Sequence, residues 1–194
     1  MCLLFESIKI KYGKAQNIDY HLKRVKKSRS LLFGYSDVND FLNFLNDHKI
    51  GDENLFKLKI IYNKNIVDYQ LMDYTINQKK SIKFFERPNL DYSFKYYDRD
   101  KLEEIELQLS SDEVGIITKN GYLTDATYAN IVLFDGKNYF TPENCLLEGT
   151  KRAKLLKEGK ISTKLIHIND LDFYKHLQII NSMIDLEDDV KIKL

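Results

Sequence analysis

The segment over 147–154, LEGTKRAK, combines a helix start with a concentration of positive charge. Thr150 suits a helix N-cap, and Lys151, Arg152 and Lys154 then fall in the first turns. The helix dipole makes each exposed cation at this end unfavourable by about 0.3–1 kcal/mol. An anion bound by the backbone N–H groups would reverse this effect, and phosphate is the usual ligand. The segment predicts either a phosphate site or an ordinary lysine-rich surface helix, and it does not separate the two.

Lys95 lies in an aromatic setting, the segment FKYYDR. Aromatic neighbours can partly desolvate an ammonium, which favours the neutral amine that covalent catalysis needs. The alternative is a structural lysine whose stem packs on the rings while its charge stays in water. Asp125, in LTDATYAN, is equally open: it is a turn or capping residue beside Thr124 and Thr127 unless a cationic partner lies near it.

A basic run over 21–29, HLKRVKKSR, raises the question of nucleic-acid binding. The run has no interleaved aromatic residues, and the whole chain carries a net charge of only +1. A solvated helix face is therefore the favoured interpretation. Arg24 lies away from the apolar stripe of Leu22, Val25 and Leu32, so periodicity alone gives it no site.

Periodicity and turn residues predict a first lobe of strands and helices. The predicted elements are a strand over 2–10, helices over 19–33 and 37–47, a hairpin over 54–75 and a strand over 82–86 that extends the same sheet. Asp19 is expected to cap the first helix, and Gly34 to end it in a left-handed conformation. We place the lobe boundary at Pro88, which gives a small α/β lobe over 1–88 and a second lobe over 89–194.

The second lobe is predicted to mix short strands and helices. Its elements are helices over 98–109 and 151–158, strands over 114–118, 122–124, 130–134, 138–140, 161–168 and 177–180, and a helical turn over 170–174. The pairs Asn120-Gly121 and Asp135-Gly136 indicate tight turns, and Gly159 should end the second helix. Neither lobe shows regular alternation of strand and helix, so the fold class is α+β rather than doubly wound.

Composition restricts the class of protein and its partners. The chain has 194 residues, of which 43% are hydrophobic, enough for a sizeable core. Its near-zero net charge predicts a small-molecule partner rather than nucleic acid or a membrane. The two cysteines have no metal-ligand spacing and indicate a reduced, cytoplasmic setting. The apolar start is interrupted by Glu6, so we expect neither a signal peptide nor a spanning helix.

Several motifs follow one another in a family-specific order. They are FES near the start, HLKR, the lysine of FKYYDR, GYLTDATYANIVLFDGKNYFTP, LLEGTKRAKLL and IINSM. This succession resembles the class IV aminotransferases, the fold-type IV pyridoxal phosphate enzymes, over nearly the whole chain. The resemblance implies a two-lobed fold like that of D-amino acid aminotransferase, with pyridoxal 5′-phosphate between the lobes and its lysine on a C-terminal pseudo-barrel lobe. It also implies a homodimer that binds a small amino acid-like substrate.

The resemblance assigns roles to single residues. Lys95 matches the lysine that holds the cofactor covalently and then moves the substrate's α-proton. The residues that would bind the phosphate are Arg24 of the H-x-x-R motif, Gly149, Thr150 and Lys151 of the phosphate loop, and Ser182 of INSM. The backbone near Met183 would face a substrate carboxylate. No metal is expected.

Asp125 occupies the place where the family usually has a glutamate paired with the pyridine nitrogen. Aspartate can carry the same charge, with about 1.5 Å less reach. Two reactions then compete: cleavage of 4-amino-4-deoxychorismate to 4-aminobenzoate and pyruvate, and transamination of a branched-chain or D-amino acid. We favour the lyase because the short chain resembles the compact members commonly assigned to it. The aspartate also leaves open a cofactor-binding protein with impaired turnover.

Overall fold

The computed structural model describes residues 2–47 and 55–194, so Asn54, where the predicted hairpin begins, lies outside the described residues. The chain divides into two compact units. The first comprises Met1–Ile76 and Phe94–Asp98, and the second comprises Asn77–Ser93 and Arg99–Leu194. This division differs from a single boundary at Pro88, because the chain returns to the first unit at Phe94–Asp98. Lys95 thus belongs to the first unit, whereas the sequence analysis put it on the C-terminal lobe.

The first unit is an antiparallel sheet with two helices. Its elements are β1 (Leu4–Lys11), β2 (Lys14–Ala15), α1 (Ile18–Phe33), α2 (Asn39–Asp47), β3 (Phe56–Tyr62) and β4 (Ile66–Asp73), with strand order β2-β1-β3-β4. The predicted strand, helices and hairpin are confirmed within the described residues. The N-cap of α1 is Asn17, with φ 55°, rather than Asp19, while Gly34 ends the helix with φ 64° as predicted.

Strand β1 is buried on both faces, from Leu4 to Ile10. Residues from β1, β3, α1 and α2 form the core on one face, where the fully buried members include Leu4, Ile8, Val25, Phe41, Leu58 and Ile60. A strand buried on both faces reads as a continuous apolar run, which explains the segment LLFESIKI. Glu6 interrupts that run and is nevertheless completely buried.

The basic run on α1 is only partly a solvated face. Lys23 and Lys26 are exposed, but Arg29 is fully buried. Arg29 donates hydrogen bonds to both carboxylate oxygens of Asp40, at 2.6 and 2.7 Å, and its Nε donates to the carbonyl of Asn63 at 3.0 Å. A guanidinium can enter a core when a carboxylate and carbonyls satisfy its donors. Those partners are distant in sequence, so the basic run by itself does not indicate the burial of Arg29.

The second unit contains two sheets. Its elements are β5 (Ser81–Glu86), α3 (Asp100–Glu106), β6 (Glu113–Lys119), β7 (Tyr122–Ala126), β8 (Asn130–Phe134), β9 (Tyr139–Pro142), α4 (Thr150–Lys157), β10 (Ser162–Lys164), β11 (His176–Ile180) and β12 (Lys191–Lys193). The strand orders are β5-β6-β7 and β10-β9-β8-β11-β12. Short 3₁₀ helices span Ile168–Phe173 and Leu186–Asp188. The mixture of sheets and helices confirms the α+β class.

The prediction that 82–86 extends the first sheet is wrong. Strand β5 pairs in parallel with β6, and β9 pairs in parallel with β10. Parallel neighbours need a long crossover, and the chain from Arg87 to Asp112, including α3, provides one between β5 and β6. The predicted turns are present: Asn120 and Gly121 have φ of 52° and 78°, and Gly159 ends α4 with φ 67°.

No helix within residues 2–47 and 55–194 is both long and apolar enough to cross a membrane.

Candidate active site

Lys95 is fixed by backbone pairing with the start of β1. The carbonyl of Lys95 accepts a hydrogen bond from the N–H of Phe5 at 3.0 Å, and the N–H of Tyr97 donates to the carbonyl of Leu3 at 2.9 Å. The Lys95 ammonium lies 4.4 Å from the centre of the Phe5 ring. The half-buried aromatic setting predicted for this lysine is present, and β1 supplies its main partner.

Glu6 organises a buried cluster with two residues of α1. One carboxylate oxygen, Oε2, lies 2.6 Å from His21 Nδ1 and 2.5 Å from Arg24 Nη2, and Oε1 accepts from Arg24 Nε at 2.8 Å. Arg24 is thus held in a two-point ion pair, the arrangement that orients a guanidinium most firmly. His21 and Arg24 are three residues apart and project from adjacent positions of one helix face.

The cluster fixes the charge of its members. Burial by itself would raise the pKa of Glu6, but Arg24 and His21 outweigh it and hold that pKa at about 2. Burial lowers the pKa of His21 despite its contact with Glu6. His21 is therefore neutral at pH 7 and donates from Nδ1 to the Glu6 carboxylate. Lys95 contributes to the electrostatic environment of His21, which places it near this cluster.

Glu6 belongs to the FES motif, and neither the motif nor the family resemblance gave it a role. A charged residue inside an otherwise apolar strand was the available signal, because a carboxylate is buried only when paired. Arg24 lies away from the apolar stripe of α1, yet it reaches back to β1 and has only 12% of its side chain exposed. The phosphate-binding role of Arg24 stays a prediction.

Asp125 is a buried residue of β7 rather than a turn or cap. Its exposure is 4%. Oδ1 accepts from the Asn130 amide nitrogen at 2.7 Å, and Oδ2 accepts from the backbone N–H of Leu147 at 2.9 Å. Each carboxylate oxygen can accept a second hydrogen bond, so these contacts leave capacity for a ring N–H.

Burial raises the pKa of Asp125 to about 6, against the opposing effects of the Leu147 N–H, the Asn130 amide and the charge of Arg152. A raised pKa means that ionisation of this carboxyl opposes folding. The charge of Arg152 acts on Asp125, but the Arg152 side chain donates to Thr141 and Pro142 rather than to this carboxylate. A protonated pyridine nitrogen would be a second cation near Asp125.

We expect Asp125 to make stability fall as pH rises from about 4 to about 6. The folded pKa of about 6 lies above the ordinary 3.8, so the contribution is fully present below 3.8 and is lost as pH rises through 6. This difference in pKa between the folded and unfolded states corresponds to about 3 kcal/mol in the free energy of unfolding. Urea unfolding of the cofactor-free protein at stepped pH, compared with Asp125→Asn, measures it. The same pH dependence in the variant would contradict the assignment.

The beginning of α4 contains the predicted phosphate loop. Gly149 precedes the helix in an extended conformation, with φ −66° and ψ 144°, so it is not required for its backbone angles. It is required for space: a Cβ at this position would lie 1.9 Å from the Asn130 side-chain oxygen. Thr150 and Lys151 are buried in the first turn, whose backbone N–H groups point out of the helix end.

The cations of α4 have protein partners, so their positive charge does not by itself indicate a bound anion. Lys151 is 3% exposed, and its ammonium pairs with Asp185. Arg152 donates to the hydroxyl of Thr141 at 3.3 Å and to the carbonyl of Pro142 at 3.0 Å. These side chains therefore need no bound anion, and the simple surface-helix alternative does not describe them either. A phosphate here would depend on the backbone N–H groups.

Ser182 and Met183 lie in a turn after β11, not on the last strand. Asn181 forms this turn, because its side-chain oxygen accepts from the N–H groups of Met183 at 2.8 Å and Ile184 at 3.0 Å. The N–H of Met183 is thus already bonded, and its side chain is 2% exposed. A substrate carboxylate at this turn would have to contact a group other than that N–H.

Within each unit, the structure brings several predicted residues together. In the first, Lys95 and Arg24 both lie beside β1. In the second, Asp125 and Gly149 are joined through Asn130, and Lys151 reaches the segment after Ser182 through Asp185. No group of three or more His, Cys, Asp or Glu side chains suited to a metal ion occurs in the described part of the chain.

Known proteins are similar to this chain. The family model described as amino-transferase class IV matches residues 3–186. An uncharacterized protein of Haemophilus influenzae is 33% identical over 185 residues, 93% of this chain and 97% of that protein. The chain therefore belongs to the class IV aminotransferase family, and its cofactor is pyridoxal 5′-phosphate.

Solved structures confirm the fold. A "putative 4-amino-4-deoxychorismate lyase" from Haemophilus somnus 129PT has a TM-score of 0.86 at 30% identity, covering 96% of this chain and 98% of that one. A "putative amino-acid aminotransferase" from Mesorhizobium loti has a TM-score of 0.85 at 21% identity and covers all of both chains. The fold-type IV architecture predicted from the motifs is thereby confirmed.

The second unit fits this cofactor chemically. Asp125 would offer a buried carboxylate to a protonated ring nitrogen, and the N–H groups of the first turn of α4 would be donors of the kind that bind a phosphate. When bound, the cofactor supplies an electron sink for the substrate bond that breaks. A primary amine is needed to hold the cofactor covalently, and the assignment of Lys95 to that role stays a prediction.

Proposed function

We propose that this protein is a lyase that converts 4-amino-4-deoxychorismate to 4-aminobenzoate and pyruvate. The observation that carries the proposal is the positive charge around Lys95. The Lys59 ammonium lies 5.2 Å from the Phe5 ring and 4.6 Å from the Tyr97 ring, so Phe5 has the ammonium groups of Lys59 and Lys95 nearby.

More cations lie on the same sheet face. Lys57 is two residues from Lys59 on β3, and it stands directly opposite Lys9 in the strand register. These ammonium groups would attract an anionic ligand to this face of the sheet. The lyase substrate has two carboxylates, whereas a branched-chain amino acid has one carboxylate and an apolar side chain.

The chain's own groups would divide the work as follows. Lys95 binds the cofactor through its amine, and that amine then takes the substrate's proton and returns one at the carbon of the departing group. Arg24, oriented by Glu6, is a proposed donor to the phosphate oxygens. The N–H groups at the start of α4 are proposed phosphate donors as well. Asp125 keeps the ring nitrogen protonated by accepting its hydrogen bond. Lys59 orients the substrate through a carboxylate. The family resemblance further implies a homodimer in the cytoplasm.

The decisive experiment is pyruvate release without a second substrate. Purified protein loaded with pyridoxal 5′-phosphate receives 4-amino-4-deoxychorismate and no 2-oxo acid, and pyruvate is measured with a coupled dehydrogenase. A lyase releases many equivalents per chain. An aminotransferase instead converts the cofactor to its amine form with an amino acid and stops until a 2-oxo acid is added.

Both alternatives remain measurable in the same preparation. The Mesorhizobium structure carries an aminotransferase name, and turnover that depends on an added 2-oxo acid would replace the lyase proposal with that activity. Cofactor binding with neither reaction would identify a protein impaired in turnover, as the aspartate at position 125 allows.

A further inference from the structure

Asn130 touches both the Asp125 carboxylate and the segment leading into α4. It begins β8 and is 5% exposed. Its amide nitrogen donates to Asp125 Oδ1 at 2.7 Å and to the carbonyl of Leu147 at 2.9 Å. An amide NH₂ has two hydrogens, so these two bonds use both.

The Leu147 peptide closes the connection. Its N–H donates to the second oxygen of Asp125 at 2.9 Å, while its carbonyl accepts from Asn130. Asp125, Asn130 and Leu147 therefore form a closed ring of three hydrogen bonds, and none of the three can move without breaking one of them. Buried rings of this kind are stabilising only when every member is satisfied.

The other end of the Asn130 amide meets the phosphate loop. Its oxygen occupies the space that a Cβ of Gly149 would take, at 1.9 Å from that position. Asn130 thus packs directly against the residue that precedes the first turn of α4. The nitrogen of the Asn130 amide thus contacts Asp125, the proposed partner of the ring nitrogen. The oxygen of the same amide contacts Gly149 of the proposed phosphate loop.

We propose that Asn130 is a positioning residue that locks Asp125 and the Leu147–Gly149 backbone into a single rigid cradle, so that the ring and phosphate sites are fixed together. The inference rests on the proposed roles of Asp125 and Gly149, but its first test requires neither cofactor nor turnover. Arg152 and Cys145 also face Asp125 electrostatically, and both are left unchanged in the variants below.

The first test measures the Asp125 pKa by carbon NMR of its carboxyl in the full chain without added cofactor. Asn130→Ala removes a donor to the ionised form and should raise this pKa by about one pH unit, a tenfold change in proton affinity. Gly149→Ala should also raise it, although residue 149 is not hydrogen-bonded to Asp125, because the new methyl pushes the Asn130 amide. In the Asn130→Ala background, the same Gly149→Ala change should have no effect.

Thr124→Val is the matched control. Thr124 is a completely buried neighbour of Asp125 on β7, and its hydroxyl donates to the carbonyl of Ile117 at 2.7 Å. This variant loses a buried hydrogen bond without touching the ring, so the Asp125 pKa should not move. If Asn130→Ala does not fold, the comparison of Gly149→Ala with Thr124→Val decides. Equal shifts in those two variants, or no shift in Gly149→Ala, would overturn the proposal.

A second measurement tests whether Asn130 supports the phosphate loop as well as Asp125, or affects Asp125 alone. Dissociation constants are measured for pyridoxal 5′-phosphate and for pyridoxal, which lacks the phosphate. Asn130→Ala should reduce the ratio of the pyridoxal Kd to the pyridoxal 5′-phosphate Kd about tenfold, because the phosphate loop loses the contact with Asn130. An unchanged ratio would overturn the coupling of the two sites. Absence of lyase turnover, by contrast, would contradict only the proposed function.

Discussion

Replacing Lys95 with alanine should abolish the visible absorption of the cofactor-loaded protein and reduce pyruvate release by at least about 10²–10⁴-fold, the contribution of one positioned acid–base group. The methyl group cannot bond the cofactor or move a proton. Residues 95 and 97 pair with β1 through backbone hydrogen bonds, which the substitution leaves in place. The fold should therefore persist. Absorption spectra and the coupled pyruvate assay measure both effects.

Lys59→Ala provides the matched control for Lys95→Ala. Both lysines place an ammonium beside Phe5, at 5.2 and 4.4 Å from the ring centre. Lys59→Ala should keep the visible band and raise KM for the dianionic substrate roughly tenfold or more, the usual effect of one lost charged contact. A coloured and active Lys95→Ala protein would contradict the assignment of Lys95. An unchanged KM in Lys59→Ala would remove the main support for a dianionic substrate.

Glu6→Ala should lower the free energy of unfolding by roughly 3–5 kcal/mol, the usual cost of leaving a buried charge without its partner. Arg24 has both Nε and Nη2 directed at this carboxylate, and His21 contacts it as well. Urea unfolding at pH 7 measures the loss. Affinity for pyridoxal 5′-phosphate should fall in the same variant, because Arg24 is no longer oriented.

Glu6→Gln is the control that keeps the volume and removes the charge. The folded pKa of about 2 lies below the ordinary 4.5, so the contribution of the ionised carboxylate is fully present above pH 4.5 and is lost as pH falls through 2. That difference is worth on the order of 3 kcal/mol. The gap in stability between the native protein and Glu6→Gln should therefore narrow below pH 4.5. A gap that is constant from pH 7 to pH 3 would refute the ion pair.

Local signals predicted much of the architecture. Alternation and turn residues located β1, the β3–β4 hairpin and β8, and glycines located the ends of α1 and α4. These features depend on contacts close in sequence, where backbone geometry and residue type are linked directly. The parallel pairing of β5 with β6 was missed because the strands pair across a long crossover, which leaves no local signal.

The site was predicted from motif order rather than from its physics. Motif order assigned roles to Lys95 and Asp125, which stay predictions, and it did not indicate the residues that contact them. Glu6 contacts residues that are 15 and 18 positions away in the sequence. Asn130 contacts residues that are 5 and 17 positions away. Partners at these separations become visible only when strands and helices are assembled. The sequence shows the cations at the start of α4, but it does not show that Asp185 pairs with Lys151 and neutralises its charge.

The discontinuity of the first unit bears on how the chain is made. Residues 94–98, which contain Lys95, complete pairing with the start of β1, although an intervening stretch belongs to the other unit. During synthesis the N-terminal sheet can form early, but its last partner emerges from the ribosome only after residue 98 has been translated. Lys95 thus joins the first unit late, and any fragment that stops at Ile76 would contain the strand that positions Lys95 but not the lysine itself.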